Sequence, residues 1–314
     1  MAEGELIGVD WGTTSWRGYL IGAEGCVLER ASSARGILNV ANGAFEATLL
    51  KEIGGWLKAN GPLPVVLSGM IGSRQGWREA PYVACPAGLD EIAARVMRID
   101  EGGGGRGALA IVPGLSVEAD GMPDVMRGEE TQIFGALTTQ GAQSGVFVLP
   151  GTHSKWVRVE LGRVVQFATY MTGEVFAALK DHTILGRLMT DGGGDQAAAF
   201  KSGVAAGARV GGPGSLLNRF FSARTLGLFD RLQGGDIGAY LSGLVIDAEL
   251  RDATSAFARA GEDAVTLIGS DVLVARYVDA AESLGIGCRR ADADCVARGH
   301  HAIAGRARLI GGGI

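Results

Sequence analysis

Over the first third of the chain, apolar residues come in short runs separated by glycine-bearing turns. Leu6-Ile7-Gly8-Val9 reads as a buried strand, Trp16 to Ile21 as a second and Cys26-Val27-Leu28 as a third. Gly12-Thr13-Thr14 and Ala23-Glu24-Gly25 supply the connections. Phe45, Leu49, Leu50, Ile53 and Leu57 then recur at helical spacing, and Val65-Val66-Leu67 returns to a buried strand. A second helix is expected around Glu91 to Met97 and a strand at Ala108 to Val112, giving a β-β-β-α-β-α-β order. Alternation of that kind builds α/β layers.

After a break expected at Thr138-Thr139-Gln140-Gly141-Ala142, the same pattern restarts. Val146-Phe147-Val148-Leu149, a turn at Gly151-Thr152-His153-Ser154 and a strand at Trp156 to Val159 repeat the opening hairpin. Gly12-Thr13-Thr14-Ser15-Trp16 aligns with Gly151-Thr152-His153-Ser154-Lys155-Trp156 through one insertion. Two domains follow, 1–140 and 141–314, with a ligand expected in the cleft between the duplicated halves. From Glu174 onward the pattern is mostly helical, including Ile237, Tyr240, Leu241, Leu244 and Val245, and Val272 to Val278 after a strand at Val265 to Ile268.

Composition narrows the picture. A net charge of −5 over 314 residues, with no long block of one sign, gives no footprint for nucleic acid or an anionic membrane. The 52 glycines are scattered between apolar segments and read as tight turns. Four cysteines without a Cys-x-x-Cys pair read as reduced thiols. The acidic start, Met1-Ala2-Glu3-Gly4-Glu5, and the lack of a membrane-length apolar run lead to an expected cytoplasmic location.

Chemistry concentrates in a few stretches. Asp10-Trp11-Gly12-Thr13-Thr14-Ser15 sets a carboxylate at the end of a strand, then a glycine and three hydroxyls. A polyphosphate needs closely approaching N–H groups, small hydroxylated donors and a carboxylate for Mg²⁺, all of which this turn offers. An ordinary hairpin turn explains the same residues, but its recurrence at Gly151 to Lys155 favours two loops gripping one nucleotide. Lys155 could meet a phosphate as a point charge or serve as a surface residue. No Gly-Lys dipeptide is present, so there is no P-loop, and Gly102, Gly104 and Gly107 precede a strand and read as a flexible surface loop.

Gly69 to Trp77 follows a strand, where Arg74 could fork onto a carboxylate and Gln75 onto hydroxyls, as a sugar acid requires. Asp124 to Gln132 leads into a helix; Glu129 and Glu130 either cap it or supply a base for an attacking hydroxyl, with Asp124 nearby on the substrate side. Gly269-Ser270-Asp271 opens a helix, with Ser270 or Asp271 as its N-cap, in a turn that could pass under an adenine. His300-His301 with Cys288 and Cys295 fits no common zinc spacing.

The paired hairpins resemble the phosphate loops of the actin-like, sugar-kinase and heat-shock ATPase superfamily. Asp10 to Thr14, Gly69 to Trp77, Met126 to Gln132, Leu149 to Trp156 and Met171-Thr172-Gly173-Glu174 together resemble the 2-dehydro-3-deoxygalactonokinases. The resemblance implies two ribonuclease-H-like domains around a central nucleotide cleft. It also implies transfer of the γ-phosphoryl group of ATP to the 6-hydroxyl of 2-dehydro-3-deoxy-D-galactonate in galactonate breakdown. By that analogy Asp10 orients Mg²⁺, while Gly12, Thr13 and Thr14 with Gly151, Thr152, His153 and Ser154 hold the phosphates. A one-residue gap leaves the base open between Glu129 and Glu130, and Ser270 stands where many relatives carry a second glycine beneath the adenosine.

The expected partners are ATP and a small sugar acid, without nucleic acid or membrane, and with homodimerisation left open. A kinase of another sugar or sugar acid on the same fold, or a non-catalytic sugar sensor, is the alternative reading.

Overall fold

The computed structural model describes residues 3–100, 102–103, 105–141, 143–208, 215–257 and 264–311. The opening hairpin forms where the apolar runs predict it, as β1 (Leu6–Trp11) and β2 (Trp16–Ile21), followed by β3 (Val27–Ser33). Helix α1 (Phe45–Asn60) buries Phe45, Leu49, Ile53, Trp56 and Leu57, and leads into β4 (Val65–Ser68). There follow β5 (Tyr82–Ala84), α2 (Leu89–Ala93), β6 (Met97–Asp100), β7 (Leu109–Ile111), β8 (Gly114–Ala119), β9 (Met122–Met126) and α3 (Glu129–Gln140).

The main sheet runs β3-β2-β1-β4-β7-β6, with β1, β4 and β7 parallel and β2 antiparallel to β1. A smaller sheet joins β5, β8 and β9. Ile7, Val9, Trp11, Trp16, Leu49, Ile53, Leu67 and Ile111 form the core between the main sheet and α1.

The rest of the chain contributes β10 (Gly145–Leu149), β11 (Ser154–Glu160), β12 (Arg163–Tyr170), α4 (Thr172–His182), α5 (Gln196–Gly207), α6 (Ser215–Leu228), α7 (Ile237–Phe257), β13 (Ala264–Leu267), α8 (Asp271–Glu282), β14 (Gly287–Arg290) and α9 (Cys295–Arg306). Its sheet runs β12-β11-β10-β13-β14, matching the order β3-β2-β1-β4-β7 strand for strand. This shared order is the duplication expected of paired ribonuclease-H-like domains. Val146, Val148, Trp156, Val245, Leu250, Phe257, Leu267 and Tyr277 make up the core. Among the described residues no helix is long and apolar enough to cross a membrane.

Two compact units divide the chain: Met1–Ser144 with Arg158–Phe167 and Ala291–Ile314, and Gly145–Val157 with Ala168–Arg290. The sequence repeat suggests one cut after residue 140, whereas the structure places α9 in the first unit. The reason is a backbone-to-backbone helix crossing. A Cβ at Gly135 of α3 would lie 1.7 Å from the Cys295 carbonyl oxygen, and one at Gly299 of α9 would lie 1.9 Å from that of Thr131. In the second unit, Gly203 of α5 and Gly243 of α7 permit a similar crossing, with Cβ positions 2.0 Å from Tyr240 O and 2.2 Å from Phe200 O. Glycine here serves helix packing as well as the turns read from composition.

Other expectations change. The second helix ends at Ala93, and Met97 instead starts β6, where Met97 and Ile99 alternate toward the core. The expected break at 138–142 begins later, because α3 continues through Gln140 and the Thr138 and Thr139 hydroxyls donate back to the Gly135 and Ala136 carbonyls; Ala142 lies outside the described residues. The glycine stretch around Gly102 and Gly107 is tied down rather than free. The buried Arg106 guanidinium forks onto Asp100 at 2.6 and 2.7 Å and reaches Glu46 at 3.0 Å; Gly104 is outside the described residues.

Candidate functional site

In the first unit the site grows from the ends of β1 and β4. Hairpin closure at Trp11 and Trp16 makes Arg17 the cross-strand neighbour of Asp10, while Ser68 pairs with Asp10 from the other side. Arg17 Nη2 accordingly donates to Asp10 Oδ2 at 2.6 Å. Asp10 is 7% exposed; burial raises its pKa, and the Arg17 charge opposes that rise.

The turn itself is closed by Gly12 N–H donating to Ser15 O at 2.9 Å, which leaves the side chains of Thr13 and Thr14 exposed. Gly36 passes beneath it so closely that a Cβ there would lie 2.3 Å from Thr13 O, and Ile37 and Leu38 N–H groups donate to Gly12 and Thr13.

Two further glycines crowd Asp10. Gly69, at φ +88°, would place a Cβ 3.1 Å from Asp10 Oδ1, and Gly128, at φ +107°, would place one 3.1 Å from Gly69 Cα. Both conformations favour glycine. Beyond Gly128, helix α3 opens with the two acidic residues in different surroundings. Glu130 is fully buried and accepts from Gly128 N at 2.7 Å and Thr131 Oγ1 at 3.1 Å. Burial and the neighbouring Glu129 charge push Glu130 up to about 8. Glu129 is half-buried and accepts from Arg127 N at 3.0 Å. Both carboxylates thus accept from backbone N–H groups just ahead of α3, while the N-cap residue Gly128 has no side-chain capping bond.

Arg127 donates to Ala80 O at 2.8 Å with its guanidinium 4.2 Å above the Tyr82 ring. Behind Ser68, the fully buried His300 of α9 lies 2.9 Å from the Ser68 hydroxyl, and burial lowers its pKa to about 3. Among the described residues no group of three or more His, Cys, Asp and Glu side chains could hold a metal ion.

Arg74 and Gln75 lie exposed on the turn after β4, and Arg74 Nε is 3.4 Å from Glu79 Oε1. Asp124 sits on β9 opposite Val117 and accepts from Val125 N. Asp10, the hydroxyl turn, Gly69 and the start of α3 are therefore brought together, while Arg74 and Gln75 are exposed and Asp124 is half-buried on β9.

In the second unit, Thr152 and His153 are exposed on the turn between β10 and β11. Ser154 and Lys155 point inward instead: Ser154 Oγ lies 2.8 Å from Tyr277 OH, and Lys155 Nζ donates to Thr169 Oγ1 at 2.6 Å. Successive residues of β11 face opposite sides of the sheet, and both sides are covered, since all of Ser154 to Val159 is buried; Lys155 meets its hydroxyl partner on the face opposite Ser154. His153 Nε2 lies 2.5 Å from Glu174 Oε2, and Glu174 N–H donates to Thr152 O. Gly269 and Ser270 are exposed after β13; Ser270 is the N-cap of α8 by position, without a side-chain capping bond.

Arg17 could have been found by counting across the hairpin from Asp10. The acidic Glu249 within an apolar helix gave a weaker signal, Gly36 and Ser68 gave none, and His300 drew notice only for a zinc spacing it does not fit.

The sequence of residues 10–303 matches the family described as 2-keto-3-deoxy-galactonokinase. A Rhizobium meliloti (strain 1021) protein named as a probable 2-dehydro-3-deoxygalactonokinase is 39% identical over 307 residues, covering 97% of each chain. The Escherichia coli (strain K12) 2-dehydro-3-deoxygalactonokinase is 34% identical over 280 residues, covering 89% of this chain and 90% of its own. Among solved structures, a Sinorhizobium meliloti protein carrying the same kinase name superposes with a TM-score of 0.85 at 39% identity, over 95% of this chain and 98% of its own. At 10% identity, the activator of 2-hydroxyisocaproyl-CoA dehydratase from Clostridium difficile shares the fold, with a TM-score of 0.51 over 98% of this chain and 96% of its own. With the family match running through nearly the whole sequence and two relatives at 34% and 39% identity, the protein belongs to the 2-keto-3-deoxy-galactonokinase family.

Proposed function

We propose that this enzyme transfers the γ-phosphoryl group of ATP to the 6-hydroxyl of 2-dehydro-3-deoxy-D-galactonate. The observation that carries the reading is the convergence, in a chain of this family, of three separate stretches: a buried carboxylate with its hydroxyl-rich turn, the glycine turn at residue 69 and an acidic helix start. Phosphoryl transfer asks mainly for positioning and charge stabilisation.

The Gly12–Thr14 turn in the first unit, with Thr13 and Thr14 exposed, and the Gly151–His153 turn in the second, with Thr152 and His153 exposed, present donors suited to phosphate oxygens. Ser154 and Lys155 support the second turn from inside, so their contribution to phosphate binding is indirect. Gly269 and Ser270, exposed at the head of α8, suit the adenosine. Mg²⁺ favours one or two carboxylates with phosphates and waters completing its shell. Asp10 fits that donor set, with Oδ2 engaged by Arg17 and Oδ1 facing the glycine turn at residue 69. When bound there, the ion would neutralise phosphate charge.

Glu129 is our candidate for the proton acceptor. A base must reach the attacking hydroxyl, and Glu130 has no exposed surface. Arg74, Gln75 and Asp124 are the acceptor-side groups in this reading. A soluble enzyme with a small-molecule substrate is consistent with the composition, and a cytoplasmic setting completes the proposal.

The test is ADP release with ATP and Mg²⁺ against a panel of 2-dehydro-3-deoxygalactonate, its gluconate epimer, glycerol, xylulose and pantothenate. Release that depends on the galactonate compound is expected. Silence across the panel with ATP still bound would overturn the assignment in favour of a sensor or another acceptor. Arg74→Ala should chiefly raise the acceptor KM; unchanged acceptor kinetics would remove Arg74 from the site.

A further inference from the structure

Behind the second phosphate turn lies a buried polar network that neither composition nor the motifs single out. Glu249, 3% exposed on α7, accepts from Trp156 Nε1 at 2.8 Å and from Tyr277 OH at 2.6 Å. Tyr277, on α8, is also 2.8 Å from Ser154 Oγ. The hydroxyl of Thr172, the first residue of α4, hydrogen-bonds Glu249 as well. A carboxylate is an acceptor, so it takes the single Tyr277 proton, and the Ser154 hydroxyl, which also hydrogen-bonds Glu249, donates to the Tyr277 oxygen or to the carboxylate itself. Ser154 and Trp156 lie two residues apart on one face of β11, so one carboxylate fixes the strand as it leaves Gly151-Thr152-His153.

The same carboxylate holds the helix packed on that turn. Next to Thr172, a Cβ at Gly173 would lie 2.5 Å from Gly151 O and 2.8 Å from Thr152 Cα. Glu174 then donates its N–H to Thr152 O at 3.0 Å and holds His153 through its carboxylate. Tyr277 extends the network to α8, the helix that begins after Gly269-Ser270.

We infer that Glu249 and Tyr277 are positioning residues for the nucleotide: through Ser154 and Thr172 they hold the Gly151–His153 turn in a phosphate-receiving shape. Neither touches substrate in this assignment, which rests on the kinase reading above. Preorganised donors give up little reorganisation energy on binding, so loosening the turn should weaken nucleotide affinity first. The sugar acid has no group addressed by this network.

Tyr277→Phe keeps the buried ring and removes only the relay oxygen. Magnesium-ADP affinity by calorimetry and the KM for ATP should each weaken about tenfold, the worth of one or two buried hydrogen bonds, while the acceptor KM changes less than about twofold. Ser154→Ala should give a similar loss, and the Ser154→Ala/Tyr277→Phe double variant should be scarcely worse than either single one, as expected for members of one relay. If Tyr277→Phe does not fold, Ser154→Ala and Thr172→Val carry the same test from the edge of the network.

Unchanged ADP affinity and KM for ATP in these variants, with only the melting temperature lowered, would overturn the inference and leave a purely structural network. So would parallel losses for both substrates that follow the folded fraction. Failure of the wild-type protein to bind magnesium-ADP would instead overturn the kinase reading itself, and this inference with it.

Discussion

At the scale of single residues, two buried titratable groups in the first unit bound its stability from opposite sides. Glu130 is held near 8 against an ordinary 4.5, so it favours the protonated form; the stability that goes with that form is complete below about pH 4.5 and is lost as pH rises toward about 8. His300 is held near 3 against 6.5, so its contribution is complete above about pH 6.5 and is lost as pH falls toward 3. Thermal melts of Glu130→Gln from about pH 5 to about pH 9 should show a flatter alkaline limb than the wild type, with the acid limb unchanged. An alkaline limb of the same slope would mean that Glu130 ionises elsewhere. The same variant separates the two acidic neighbours in catalysis. Glu129→Gln should lower kcat by about a hundredfold or more with nucleotide affinity nearly kept, whereas Glu130→Gln should act mainly on stability. The reverse order of kcat losses would transfer the role of base to Glu130. Asp10→Asn, which removes a charge next to the hydroxyl turn, should cut kcat by about two orders of magnitude while the protein stays folded.

At the scale of elements, glycines distinguish packing from punctuation. Gly135→Ala forces a methyl group into the Cys295 carbonyl across the α3–α9 crossing and should cost about 3 kcal/mol, seen as a lower denaturant midpoint. Because α3 begins at Glu129, its displacement should also reduce turnover. Gly55, inside α1 with nothing within 4 Å of an added Cβ, provides the contrast: Gly55→Ala should stabilise by up to about 1 kcal/mol from helix propensity alone. Equal effects at the two positions would refute the packing argument. Composition counts both glycines alike, and only the identity of the facing backbone separates them. The strands and helices themselves were largely legible, since β1, β2, α1 and β4 announce themselves by apolar period within a few residues. The weak elements were not: β5 is exposed or half-exposed at every position, β8 alternates Leu115, Val117 and Ala119 with polar residues but over only six positions, and β9 shows no clean alternation.

At the scale of the whole molecule, chain order and unit membership part company at the C-terminus. Helix α9 completes the first unit, burying Cys295, Val296, Ala297, Gly299, His300, Ile303 and Ala304. A chain ending at Arg290 should therefore lose the first unit, exposing Trp11 and Trp16 to solvent as a red shift in fluorescence and as early proteolysis of residues 1–144. The second unit, whose core draws on none of the deleted residues, should resist longer. Survival of the first unit after this deletion would show that α9 is dispensable.

Local chemistry was already decided by the sequence. The chain itself sets a carboxylate, a glycine and hydroxyls within six positions, and the recurrence of the hydroxyl turn revealed the duplicated architecture. The cross-strand pairing of Asp10 and Arg17 is likewise contained in the hairpin. Tertiary structure decided what depends on segments far apart in the chain. It set His300 against Ser68 across 232 positions and Trp156 against Glu249 across 93. It also turned Ser154 and Lys155 inward and gave Glu129 and Glu130, adjacent and chemically alike, different exposure. Sequence pattern reports the period of burial within an element. The partner that a buried polar atom finds, and hence its charge state and role, is fixed only when distant elements pack together.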